Sequence, residues 1–68
     1  MHKDIDSSFI QSLDYDNNEL IITFTNGKRF KYANVPQGTV NDLVNAPSTG
    51  TAFHRYIKRQ FSYEELTD

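Results

Sequence analysis

Apolar and polar residues alternate on both sides of Asn26-Gly27, and the chain is organised around that pattern. Leu20, Ile22 and Phe24 recur at every second position before the turn. Phe30 and Tyr32 do so after it, as expected of two strands that each bury one face. A two-residue Asn26-Gly27 loop sets Phe24 opposite Arg29 and Ile22 opposite Lys31, which buries cations or exposes the aliphatic row. A three-residue loop, Thr25-Asn26-Gly27, ending in a left-handed glycine bulge sets Phe24 opposite Lys28, Ile22 opposite Phe30 and Leu20 opposite Tyr32. A slip of one residue turns every side chain to the other face, so the apolar pattern selects the bulged hairpin. Its outer face then carries Ile21, Thr23, Arg29 and Lys31.

The alternation extends upstream. Phe9 to Tyr15 reads as a strand, with Leu13 and Tyr15 on one face and Ser12 and Asp14 on the other. Ile10 is out of phase, so either the strand begins with a bulge or Phe9 and Ile10 belong to an entry loop. Asp16-Asn17-Asn18-Glu19 is expected to be a four-residue connection that sets Tyr15 opposite Leu20 and Leu13 opposite Ile22.

Downstream the period changes to that of helices. Val35-Pro36 suits a helix start, and residues 37–45 place Val40, Leu43 and Val44 at helical spacing. Ala46-Pro47 stops that helix, and Ser48 is positioned to cap a second one over about 49–60. Phe53, Tyr56, Ile57, Gln60 and Phe61 form its inner stripe, with His54, Arg55, Lys58 and Arg59 outward. Gly50 in the first turn costs helix stability, which implies close backbone packing against the sheet or a ligand. The expected fold is α+β, a three-stranded antiparallel meander followed by two helices packed on one face, as a single domain over 7–61. The acidic ends, 1–6 and 62–68, are expected to be flexible.

Composition narrows the function classes. Sixty-eight residues make one domain, near the lower limit for folding without staples, so an aromatic core of five Phe and four Tyr must supply the buried area. There is no cysteine, hence no disulfide or thiolate metal site, and His2 and His54 are too few for a histidine cage. No segment reads as a membrane span or a signal peptide, and a cytoplasmic location is expected. The net charge of −2 is uneven: residues 1–25 carry −4, residues 26–60 carry +5 and residues 61–68 carry −3.

Taken in order, Ser7-x-x-Ile10-x-x-Leu13-x-Tyr15-Asp16, Leu20-x-Ile22-x-Phe24-x-x-Gly27-x-x-Phe30-x-Tyr32, Val35-Pro36, Leu43-x-x-Ala46-x-Ser48-x-Gly50 and Phe53-His54-x-x-Ile57-Lys58-x-x-Phe61 resemble the KTSC domain. That domain is found at the C-terminus of some lysyl-tRNA synthetases and as free-standing bacterial or phage proteins. The resemblance covers roughly residues 7–61 and implies RNA as a partner through the synthetase association. The sequence departs from it at Phe30 and Phe61, where the family pattern has tyrosines.

No catalytic set is present: Ser7, Ser8 and His54 lack the context of a nucleophile or triad, and an enzyme is not expected. The Asp4/Asp6 and Asp14/Asp16 pairs fit turns and solvated faces, so neither metal nor cofactor is expected. Ser48 and Gly50 open a predicted helix whose free N–H groups suit an anion, although capping accounts for the same residues. The main candidate nucleic-acid site is the cationic set Lys28, Arg29, Lys31, Arg55, Lys58 and Arg59, with solvated surface charge as the bland alternative. Ile21 and Thr23 on the open sheet face offer a second surface for a protein partner or homodimer, as in a phage-type accessory protein or inhibitor.

Overall fold

A computed structural model describes residues 1–66. The elements are β1 (His2–Asp4), β2 (Ile10–Asp16), β3 (Glu19–Phe24), β4 (Arg29–Tyr32), α1 (Gln37–Asn45), α2 (Thr49–Tyr56) and β5 (Tyr63–Leu66). All strands join one antiparallel sheet in the order β1-β2-β3-β4-β5. The α+β class and the two helices are as expected, but the sheet has five strands rather than three. Each end of the chain, expected to be flexible, contributes an edge strand. Thr67 and Asp68, the last residues of that expected flexible end, lie outside the described residues.

The hairpins obey the hydrophobic pattern. Tyr15 stands opposite Leu20, Leu13 opposite Ile22, Ile22 opposite Phe30 and Leu20 opposite Tyr32. Gly27 has φ +90°, its N–H donates to the Phe24 carbonyl, and the Phe24 N–H donates to the Lys28 carbonyl. These bonds close the three-residue bulged loop that the register requires. The β2–β3 connection is shorter than expected, because Asp16 and Glu19 still pair and only Asn17 and Asn18 turn. Both asparagines are left-handed, at φ 50° and 64°, matching a type I′ turn whose twist suits the flanking strands. The register shifts between Ile10 and Ser12, so a bulge brings Ile10 onto the buried face with Leu13.

Helix α1 starts after Pro36, which supplies the first carbonyl to Thr39 and Val40. Ser48 caps α2 by accepting the Thr51 N–H at 3.3 Å. Helix α2 ends at Tyr56 rather than near 60. The N–H groups of Ile57 and Lys58 both donate to the Phe53 carbonyl at 3.0 Å, which tightens the last turn and sends the chain back toward β5. Lys58 and Arg59 therefore lie on a turn, not on the helix.

The core joins the sheet's inner face to the helices: Ile10, Leu13, Leu20 and Ile22 meet Leu43 and Ile57, all fully buried. Each such side chain contributes roughly 1.5–3 kcal/mol relative to exposure. Tyr15 ties the turn region to the segment before α1. Its hydroxyl donates to the Val35 carbonyl at 2.6 Å, and the Val35 N–H donates to the Asn18 carbonyl at 2.8 Å.

Candidate functional site

Burial falls away across the inner face of the sheet. Leu20 and Ile22 on β3 are closed off from water, Phe24 and Phe30 are half-buried, and Tyr63 on β5 is 57% exposed. An aromatic groove of about 600 Å³ opens at that end. Its walls are Phe9, Phe24, Phe30, Tyr32, Phe53 and Tyr63, and its rim carries Lys28, His54, Lys58, Arg59 and Asn26.

The rings brace one another. Phe53, fixed by α2, meets Phe24 edge-on at 5.7 Å and Tyr32 at 5.9 Å between centroids. Phe30 and Tyr63 lie parallel, 5.4 Å apart and 5° between planes. His54 packs on Phe9 at 5.5 Å. Such pairs contribute beyond their area and hold each ring at a defined angle. Tyr32 has its pKa pushed up to about 12, first by burial and then by Tyr63. Its phenol is therefore neutral across the physiological range.

The six cations read from the sequence do not form one patch. Lys28, from the β3–β4 loop, reaches the groove rim together with Lys58 and Arg59 from the turn after α2. Arg29 and Lys31 point to the outer face, opposite Thr23 and Ile21. Lys31 is engaged there, 3.2 Å from Glu64 and 3.6 Å from Glu19. The Glu64 hydrogen bond and then the Glu19 charge raise its pKa above the usual lysine value. Arg55 lies elsewhere, against a shallow depression formed with Ala46, Pro47 and Tyr56. Glu65 stands opposite Phe30 on the inner face, so the groove is flanked by one carboxylate as well as by cations.

The other candidates resolve locally. Ser48 spends its hydroxyl on the cap, and Gly50 lies so close to Phe9 that a Cβ there would stand 2.6 Å from Phe9 Cε1. The depression beside them also has Asp6 in its wall, which opposes an anion. Ile21 and Thr23 are half-buried on the outer face. Ile21 sits in a cross-strand row that runs His2, Asp14, Ile21, Lys31, Glu64, a face whose charges are largely matched within the sheet. Among the described residues there is no group of three potential metal ligands, and no helix is long and apolar enough to cross a membrane.

Sequence reasoning missed the groove. It assigned Phe24, Phe30 and Phe53 to a closed core and gave no role to Phe9 or Tyr63. The available signal was the pairing of Phe9, displaced from the strand's alternation once the out-of-phase Ile10 takes the buried face, with a helical Gly50, since a ring needing space and a residue lacking a side chain are complementary.

A family model of the KTSC domain matches residues 6–61. The chain is 39% identical over 64 residues to a lysine–tRNA ligase of Nostoc sp. and 38% identical to that of Trichormus variabilis. In both cases the match covers 91% of this chain but 11% of the relative, so the chain spans about a ninth of their length. A crystal structure of a KTSC domain protein from Yersinia pestis superposes with a TM-score of 0.90 at 30% identity, covering 98% of this chain and 97% of that one.

Proposed function

The chain belongs to the KTSC domain family, and from that premise we propose that it is a small, non-enzymatic RNA-binding domain that holds RNA along the aromatic groove through Lys28, Lys58 and Arg59. The observation that carries the reading is the convergence of these three cations, from two separate loops, on one aromatic-lined groove. A cationic rim over aromatic faces is the arrangement by which proteins hold single-stranded nucleic acid. The relatives named as lysine–tRNA ligases act, by that name, on an RNA, which supports RNA as the polymer.

The cations that lie off the groove have lesser parts. Lys31 already serves Glu64 and Glu19, and releasing it to a phosphate gains little. Arg29 and Arg55 sit on other surfaces and could meet only a strand that runs beyond the groove. The net charge of −2 supplies no general attraction for a polyanion, so affinity rests on the local rim.

Titration of a short single-stranded RNA at several salt concentrations tests the reading. Three phosphate contacts give a slope of about −2 in log affinity against log salt, at roughly −0.7 per contact. Lys58→Ala and Arg59→Ala are each expected to make the slope shallower by about one contact. An affinity insensitive to salt, or unchanged in both variants, rules the groove out as the RNA site.

A further inference from the structure

We propose that the groove accepts one unpaired nucleobase at a time, stacked within its aromatic walls, so that the domain selects single-stranded over duplex RNA. The inference rests on the RNA-binding reading above and concerns what enters the groove. Its volume, about 600 Å³, lies within the roughly 300–1,000 Å³ of sites that enclose a small molecule. That space is a half-open groove bordered by Phe53 and His54 from α2 and by Phe30 and Tyr63 from the sheet. Its walls offer ring faces and edges rather than an aliphatic lining, which favours a flat, π-rich occupant. Negative charge outside the groove suits the occupant as well, because the Lys28, Lys58 and Arg59 that line it are solvent-exposed. An extruded base with its flanking phosphates meets both conditions.

A paired base meets neither. In an A-form duplex the ring faces are covered by stacked neighbours, and proteins reach chiefly phosphates and 2′-hydroxyls. Tyr63 is the residue best placed to tell these cases apart. It is more than half exposed, it belongs to an edge strand, and it lies parallel to Phe30 without closing the core. Among the aromatic walls it can be changed with little loss of packing.

The test uses the full chain and a strand of six abasic ribonucleotides carrying a single 2-aminopurine, against the same strand with no base and against a fully paired RNA duplex. The expected result is quenching of 2-aminopurine fluorescence on binding, with affinity on the order of tenfold or more above that of the abasic strand. The duplex is expected to bind more weakly than the base-bearing strand. Tyr63→Ala should remove most of the tenfold advantage and Tyr63→Phe should retain it, with amide spectra confirming that both variants remain folded. If the abasic strand binds as tightly as the base-bearing one, with the salt slope intact, the cations hold only the backbone. The base-insertion inference then fails while the RNA-binding reading stands. Preference for the duplex has the same consequence. Failure of the base-bearing strand, the abasic strand and natural single-stranded RNA to bind at low salt overturns both.

Discussion

Gly50 and Phe9 fit together because one lacks the atom that the other would strike. A Cβ on Gly50 would stand 2.6 Å from Phe9 Cε1 and 3.0 Å from Phe9 Cζ. The Phe9 ring packs on Phe24, Phe53 and His54, so retreating from a Cβ means giving up those contacts. Gly50→Ala gains about 1 kcal/mol of helix propensity but forces a shift that costs about 1–3 kcal/mol. A net destabilisation is expected in chemical denaturation. In a Phe9→Leu background the same change should become neutral or stabilising. Stabilisation by Gly50→Ala with Phe9 intact would show that the contact is slack.

Tyr15 provides a second test of the fold. Its hydroxyl bonds the Val35 carbonyl in the interior, so Tyr15→Phe leaves a buried acceptor without that partner. The expected loss is about 1–3 kcal/mol by urea unfolding, with the ring's apolar burial retained. An unchanged midpoint would mean that water reaches the carbonyl.

Alkaline pH should report on the groove. The pKa of Tyr32 is about 12 in the folded chain, against about 10 in the unfolded one. The folded state therefore favours the neutral phenol. The stability this gives is complete below pH 10 and declines as pH rises from 10 through about 12. Ultraviolet titration of phenolate formation should show Tyr32 among the last tyrosines to ionise, and Tyr32→Phe should flatten the alkaline loss of stability. Ionisation of all four tyrosines near pH 10 contradicts the burial of this ring.

On the outer face, His2 lies 2.6 Å from Asp14 and 3.0 Å from Asp4. The hydrogen bond to Asp14, then that to Asp4, raises the imidazole pKa above 6.5. The contribution of this contact to β1 is complete below the unfolded pKa and is lost as pH rises through the raised folded value. A proton-resonance titration of His2 should give a midpoint above 6.5 that drops in Asp14→Asn. A midpoint at or below 6.5 means that the contact does not persist in solution.

Two substitutions separate the groove from the outer face. Glu65→Gln removes the carboxylate opposite Phe30 and is expected to tighten RNA binding a fewfold, the more so at low salt. Ile21→Arg adds charge to the opposite face and should leave the affinity per site unchanged. If Ile21→Arg instead alters binding or breaks up a dimer seen by sedimentation, the outer sheet face is the working surface.

The parts of the fold legible in the sequence are those in which one face is apolar and the other is not. Leu20, Ile22, Phe30 and Tyr32 fixed the central register because no other pairing keeps Lys31 out of the core. Strands β1 and β5 gave no such sign. His2-Lys3-Asp4 is wholly polar, while Tyr63 and Leu66 fall on opposite faces, so neither strand carries an apolar alternation that would mark it in the sequence. The premature end of α2 was hidden for a related reason: Phe61 continues the helical stripe, but the chain leaves the helix after Tyr56 and returns to pair with β4. With β5 unseen, Lys31 looked free, since one of its two acidic partners is Glu64. Tyr63 was unassigned for the same reason. Sequence could place the aromatic residues on the inner face, but not how far the helices would cover them.

The dependence of the groove on β5 has a kinetic meaning. Tyr63 and Phe9 face one cavity from opposite ends of the described chain, and β5 is an edge strand paired with β4 alone. Contacts between distant segments carry the largest loop-closure cost, and edge strands open more readily than the centre of a sheet. The wall of the groove that Tyr63 supplies is thus expected to assemble late and to open early. Hydrogen exchange at β5 amides should run ahead of exchange at β2 and β3, and a ligand in the groove should slow it there before anywhere else. On the proposed RNA-binding reading, opening and reclosing at β5 lets a strand enter and leave the groove while the core stays folded.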